Sequence, residues 1–111
     1  QMANRSEKIA QLNDAFSKSM GQGGQVYMTR GIQALPDEDR LHVFNLVKTF
    51  NDFSEDNDPY KEHDFGAFDY KGERIIWKID YYDKELKQGS EDPADPAQTT
   101  RVMTVMLGHE Y

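Results

Sequence analysis

The sequence FGAFDYKGERIIWKIDY, residues 65–81, decides the fold because it holds two strands and the turn that joins them. Aromatic and branched residues alternate with polar ones on either side of Lys71-Gly72, which has the place and length of a two-residue hairpin turn. The second strand presents two faces, one with Ile75, Trp77, Ile79 and Tyr81 and one with Arg74, Ile76, Lys78 and Asp80. We predict a β-hairpin with Trp77 in the core.

A helix and a short strand are predicted before this hairpin. Asn4 and Glu7 have the spacing of a capping box, and the apolar residues that follow fall on one helical face: Ile9, Leu12, Phe16 and Met20. A glycine-rich turn ends the helix, and no Gly-Lys-Ser/Thr follows that would make it a phosphate loop. Residues 25–29 then alternate as a strand does, and a turn follows at residues 29–31.

A second helix is predicted to begin at Pro36, with three acidic residues in its first turn near the positive end of the helix dipole. Its expected buried stripe is Leu41, Phe44, Val47 and Phe50, with His42 on the surface. Residues 99–107 suit a strand by their Thr and Val content, although their Met and Leu residues would also suit a helix. We predict a strand there.

The predicted element order is α-β-α-β-β-β. This order indicates an α+β fold in which two helices pack on one face of a mostly antiparallel four-stranded sheet. We expect one domain, residues 1–111, and we expect Met2, which follows Gln1, to be the native start.

Composition excludes several classes of function. The chain carries a net charge of −7, which disfavours direct nucleic-acid binding because such binding needs a basic surface. It has no cysteine, so disulfides, thiolate metal sites and cysteine nucleophiles are excluded. No apolar run is long enough to cross a membrane and no signal peptide is apparent, so we expect a soluble, cytoplasmic protein without membrane contacts.

The negative charge is concentrated in residues 51–95, which hold fourteen Asp and Glu against six Lys and Arg. Two polar loops with Asp-Pro pairs lie in this region, and exposed tyrosines there would suit an interface. The partner-binding residues predicted from this pattern are Asp56, Asp58, Tyr60, Glu62, Asp64, Tyr82, Asp83, Asp92 and Asp95. Local backbone capping by Asp58 and a structural hydrogen bond from His63 between the loop and the sheet are the simpler interpretations of those two residues.

A metal site is the alternative for the first loop. Asp58, Glu62, His63 and Asp64 could offer oxygen and imidazole ligands to a divalent cation, with the histidine as a base. The spacing differs from an EF-hand, because Lys61 stands where the loop glycine would be and Ala67 where the final glutamate would be. We predict no metal and no other cofactor.

Several longer motifs resemble a bacterial family of small proteins with no assigned function. They are residues 56–60 (DNDPY), 62–66 (EHDFG), 77–83 (WKIDYYD), 89–90 (GS), 92–96 (DPADP), 100–102 (TRV) and 106–107 (ML). The resemblance extends from the first helix to Tyr111 and implies a compact cytoplasmic protein, common on plasmids, phages and other mobile elements. It transfers no catalytic residue.

The leading hypothesis is a non-enzymatic binding module. Its acidic, tyrosine-bearing surface would dock on a basic surface of a partner, such as a nuclease or another nucleic-acid-binding protein of host defence, and block it. A metal-dependent hydrolase or nuclease that uses residues 58–64 is the alternative.

Overall fold

The structure is a computed structural model that describes residues 4–111, so Gln1 and the expected start at Met2 lie outside the described residues. Its helices are α1 (Arg5–Lys18), α2 (Arg30–Gln33) and α3 (Asp37–Lys48), and a short 3-10 helix covers Gly108–Glu110. Its strands are β1 (Gln25–Met28), β2 (Phe65–Tyr70), β3 (Glu73–Tyr82) and β4 (Thr100–Leu107). None of the helices in this range is long and apolar enough to span a bilayer.

The four strands form one mixed sheet in the order β1-β4-β3-β2. The predicted hairpin is confirmed: β2 and β3 are antiparallel, and Lys71 and Gly72 both have positive φ, as the tight turn requires. β3 and β4 are also antiparallel, whereas β1 lies parallel to β4. A parallel pair needs a long connection, and the chain between β1 and β4 contains two helices and two strands.

The core contains side chains from all three helices and alternate residues of the two central strands. Its fully or nearly fully buried members are Phe16, Ile32, Val43, Val47, Ile75, Trp77, Ile79, Met103, Val105 and Leu107. Trp77 is 1% exposed, as predicted. It pairs with Val105 on one side and with Gly66 on the other, so the indole lies at the centre of the sheet.

The helices depart from the predictions in three respects. Leu41 is 63% exposed and Val43 is fully buried, so the predicted stripe of α3 is wrong at its first position. These two residues are about 200° apart around the helix and cannot share a face. In α1, Asn13 is fully buried and Leu12 only partly, and α2 forms where a turn was predicted. The capping box of Asn4 and Glu7 is confirmed.

Candidate functional site

The two acidic loops, residues 51–64 and 83–99, meet at one end of the sheet. β2 begins, β3 ends and β4 begins at that end, because both pairs of strands are antiparallel. The two loops hold eleven Asp and Glu against three Lys, and all nine predicted partner-binding residues lie in them or beside them. We call this region, residues 51–64 and 83–99 with Tyr82, the acidic end.

The first loop is shaped by two of its own side chains. Asn57 accepts a hydrogen bond from the Ser54 amide at 2.9 Å and donates to the Asp52 carbonyl at 3.0 Å. One carboxylate oxygen of Asp58 accepts the amides of Glu62 and His63 at 3.0 and 3.1 Å. Asp58 is only 4% exposed, so it fixes the loop from inside, in agreement with the simpler interpretation of this residue.

His63 connects the first loop to α1. Its Nδ1 lies 2.9 Å from a carboxylate oxygen of Asp14, and its Nε2 lies 3.7 Å from Asp58. The imidazole is stacked on Phe53 with ring centroids 4.1 Å apart. The histidine therefore has a structural role between the loop and the helix. The predicted structural role of His63 is thus found, but its hydrogen-bond partner is Asp14 of α1 and not the sheet.

Asn13 and Arg101 connect both loops to the body of the protein. The Asn13 side-chain amide donates to the Glu62 carbonyl at 2.9 Å and to the Tyr81 hydroxyl at 2.8 Å. Its oxygen accepts from Arg101 Nε at 2.6 Å, and Arg101 Nη2 donates to the Pro93 carbonyl at 2.6 Å. The first loop is thus tied to the second through two buried side chains.

Burial changes the acid–base properties of two groups near this network. Partial burial, reinforced by the neighbouring charge of Glu62, raises the pKa of Asp64 above the usual range of aspartate. Burial raises the pKa of Tyr81 above that of a free phenol, and the Tyr81 hydroxyl donates to a carboxylate oxygen of Glu62 at 2.9 Å. Tyr81 is therefore a neutral hydrogen-bond donor at every physiological pH.

Most carboxylates predicted in the second loop are engaged in local contacts. Asp83 accepts the Lys87 amide at 3.0 Å, and Asp95 accepts the Ala97 amide at 2.9 Å. Asp92 pairs with Arg5 of α1 at 3.1 Å. Tyr82, at the end of β3, is half-buried. These carboxylates hold the loop in its shape.

The groups most available to a partner are different ones. Tyr60 is 77% exposed, and Asp56 is exposed beside it. Glu55, Glu85 and Glu91 are also exposed at the acidic end, and sequence reasoning missed them because they stand outside the quoted motifs. Asn13 was missed too, although its position among Ile9 and Phe16 on one helical face was a signal.

The acidic side chains are not arranged as a metal site. Within residues 4–111 no group of three or more Asp, Glu or His side chains is placed to hold a metal ion. Asp58 and His63 do line a cavity of 240 Å³ with Phe53 and Lys61, but Asp58 uses one of its oxygens on the loop backbone. His63 lies between Asp58 and Asp14, and Asp14 does not line the cavity, so the three side chains do not converge on it.

The fold and this end of the sheet define a small α+β protein with a rigid, acidic loop surface. A family model, Protein of unknown function (DUF3768), matches residues 28–110, and the chain belongs to that family. The match begins at the last residue of β1, so α1 and its Asn13 lie outside it. Comparison with curated proteins and with solved structures gave no match.

Proposed function

We propose that this protein is a small acidic binding module that acts in the cytoplasm and blocks a basic, nucleic-acid-binding surface of a partner protein. The observation that carries the proposal is the meeting of two acidic loops at one end of the sheet. The loops have a combined charge of −8, compared with −7 for the whole chain, so the rest of the molecule is close to neutral. Such a one-sided charge orients the encounter with a basic surface.

Preorganisation supports the same proposal. The first loop is held by Asn57 and Asp58, and the Asn13–Arg101 pair ties both loops to α1 and β4. A loop that is already ordered loses little conformational entropy on binding. We also infer that α1 and α3 pack on the sheet face that carries Trp77. The exposed side chains of the acidic end, such as Asp56 and Tyr60, stay free for a partner.

Tyr60 is the expected contact at the centre of the surface. It is the most exposed large hydrophobic or aromatic side chain of the described residues and stands among carboxylates in the sequence. Tyrosine is enriched among the residues that dominate interface energies. The surrounding carboxylates would occupy the positions of phosphates in the partner's groove, which is how an anti-restriction or anti-CRISPR inhibitor of a host defence protein would act. The mobile-element setting implied by the resemblance agrees with that role.

Site-specific photo-crosslinking tests the proposal directly. A photoreactive phenylalanine analogue is placed at position 60, and in a control at position 41. Leu41 is 63% exposed on α3, and its neighbour His42 contacts Tyr70 beside the hairpin turn, at the opposite end of the sheet. We expect position 60 alone to capture a nucleic-acid-binding protein from the native host. The purified partner should then lose its DNA or RNA binding when this protein is added. Capture of a protein whose nucleic-acid binding is unaffected would contradict the proposal.

Charge reversal separates a specific surface from overall charge. Asp56→Lys lies at the acidic end, and Glu73→Lys makes the same charge change at the opposite end of β3. We expect the first variant to weaken binding about tenfold, equivalent to about 1.4 kcal/mol, and the second to leave it within about twofold. Wild-type affinity should fall as NaCl rises, because exposed charges are screened beyond about 8 Å at physiological salt. Equal effects of the two variants would overturn the localisation.

A further inference from the structure

Arg101 is a buried cation that has no anionic partner among residues 4–111. It is 6% exposed, and its two hydrogen-bond acceptors, Asn13 Oδ1 and the Pro93 carbonyl, are neutral. No carboxylate of residues 4–111 lies within salt-bridge distance of its guanidinium. The Tyr81 ring lies against it at 5.2 Å, and the charge of Glu62 acts on it only from further away.

This arrangement is unusual on energetic grounds. Removing a charge from water costs several kcal/mol, and an opposite charge normally offsets that cost. Burial lowers the pKa of Arg101, but an arginine stays protonated at physiological pH. The chain has twenty acidic residues, so the lack of a carboxylate beside Arg101 among residues 4–111 does not reflect a shortage of carboxylates.

One nitrogen of the guanidinium remains available. Nη1 makes no hydrogen bond to the described part of the chain, whereas Nε and Nη2 each make one. Nη1 is also not fully enclosed, because Trp77 Nε1 is the only completely buried side-chain nitrogen or oxygen without a partner in residues 4–111. Nη1 is therefore not completely shielded from its surroundings.

Arg101 borders a cavity of 320 Å³ between α1 and the second acidic loop. Arg101 and Lys84 line it, and Lys84 makes no ion pair with the described residues. Leu12, Phe16 and Pro96 give the cavity an apolar wall. The volume is within the usual range for small-molecule pockets, and an apolar wall with a few polar groups is their usual composition.

We propose that this cavity binds a small organic anion, with its oxyanion on Arg101 Nη1 and Lys84 and its apolar body against Leu12, Phe16 and Pro96. The head group is a carboxylate or a phosphate ester, since either accepts hydrogen bonds from a guanidinium. The ligand would supply the missing counter-charge of Arg101. Because Arg101 holds the second loop through Pro93, a bound ligand would also stabilise the acidic end. The proposal does not depend on the docking function.

The test is a titration of the ¹⁵N-labelled protein with benzoate, phenyl phosphate and benzamide, followed by NMR in about 0.15 M NaCl, where long-range repulsion is screened. We expect saturable shifts at the amides of Ser19, Gly23 and Thr99 with benzoate or phenyl phosphate, and none with neutral benzamide. The tighter of the two anions identifies the head group. Absence of saturable shifts with both anions at about 20 mM, a concentration that would detect even millimolar affinity, would overturn the proposal. Equal binding of benzamide would do so too.

A matched pair of variants at two exposed lysines tests the site without changing the core of the protein. Lys84→Glu reverses a charge that lines the cavity, and Lys87→Glu makes the same change in the same loop away from it. We expect Lys84→Glu to weaken anion binding about five- to tenfold and Lys87→Glu to change it by less than about twofold. An equal loss in both variants would mean that the anion senses only net charge, and the proposal would fail.

Discussion

At the scale of single residues, the contact between Gly66 and Trp77 is a tight constraint in the core. A Cβ added at Gly66 would lie 2.3 Å from Trp77 Nε1 and 2.9 Å from a ring carbon of Phe50. The indole N–H of Trp77 is buried and has no acceptor among residues 4–111. Gly66, which has no side chain that could accept a hydrogen bond, lies against this nitrogen. Trp77 therefore contributes packing alone.

Gly66→Ala should lower the free energy of unfolding by about 1–3 kcal/mol, because the new methyl group must displace the indole or Phe50. Urea unfolding followed by tryptophan fluorescence measures this change. Gly89→Ala is the control, since the nearest atom to its added Cβ is 3.8 Å away. We expect the control to stay within about 0.5 kcal/mol of wild type. A neutral Gly66→Ala would show that the sheet adjusts at this position.

Asp64 gives a prediction with a defined pH dependence. Its pKa is raised in the folded state, chiefly by burial and then by Glu62, so the folded protein binds the proton more tightly than the unfolded chain does. Ionisation of Asp64 therefore lowers the free energy of unfolding as pH rises from the unfolded pKa through the folded pKa. The full loss of stability is present at neutral pH. Asp64→Asn should raise the melting temperature at pH 7 and have little effect near the unfolded pKa of about 3.9.

Thermal unfolding from pH 3.5 to pH 8 checks this prediction. Asp56→Asn removes the same charge from an exposed position in the same loop and serves as the control. A gain at pH 7 that is equal in both variants would indicate relief of general repulsion rather than a specific effect of burial at Asp64.

At the scale of elements, α1 depends on its first residues. The Asn4 side chain accepts the Glu7 amide at 2.8 Å, and Glu7 accepts the Asn4 amide at 3.1 Å. Arg5, next to the cap, pairs with Asp92 of the second acidic loop. Fraying of this helix end would therefore loosen the loop as well.

Asn4→Ala should destabilise the protein by about 1 kcal/mol, and Asn4→Asp, which preserves the cap, should be nearly neutral. Hydrogen exchange should show faster exchange in the first turn of α1, and residues 91–95 should respond in the same direction. Unchanged exchange in residues 91–95 would mean that the loop is held by Arg101 and not by Arg5.

Elements that are specified by neighbouring residues could be predicted from the sequence. Elements that depend on contacts between distant parts of the chain could not. Lys71-Gly72 and the alternation of β3 are local signals, and they located the hairpin and Trp77 correctly. The pairing of β1 with β4 joins Gln25 to Val102 and has no local signal, so its parallel direction was missed. The buried face of α3 was misjudged at Leu41 because several apolar residues offered competing stripes.

The candidate site shows the same division. Its acidic loops are contiguous in sequence and were predicted, whereas the Asn13–Arg101 pair joins residues far apart in the chain. Arg101 lies two residues before Met103, and Met103, Val105 and Leu107 are alternate buried residues of the same strand. Alternate residues of a strand share a face, so the sequence placed a charged side chain on the inward face, and this was the signal for its buried role.

At the scale of the whole molecule, the charge distribution should make stability depend on salt. The acidic end carries a charge of −8, compared with −7 for the whole chain, and few of its carboxylates have ion-pair partners among the described residues. Raising NaCl from about 20 mM to 300 mM shortens the screening length well below the width of this surface. The melting temperature should rise by a few degrees, as scanning calorimetry can measure. A fall would indicate that the ion pairs outweigh the repulsion.

The central position of β4 also has a consequence for the order of events during synthesis. Among residues 4–111, β1 pairs only with β4, and β4 is made 72 residues after β1 ends. At ribosomal speeds of about 5–20 residues per second, this edge strand waits roughly 4–14 s with its backbone unpaired. β1 is only four residues long and includes the exposed Tyr27. Its short length limits unwanted pairing with other strands before β4 is made. The nascent chain thus completes its sheet only when its last strand leaves the ribosome.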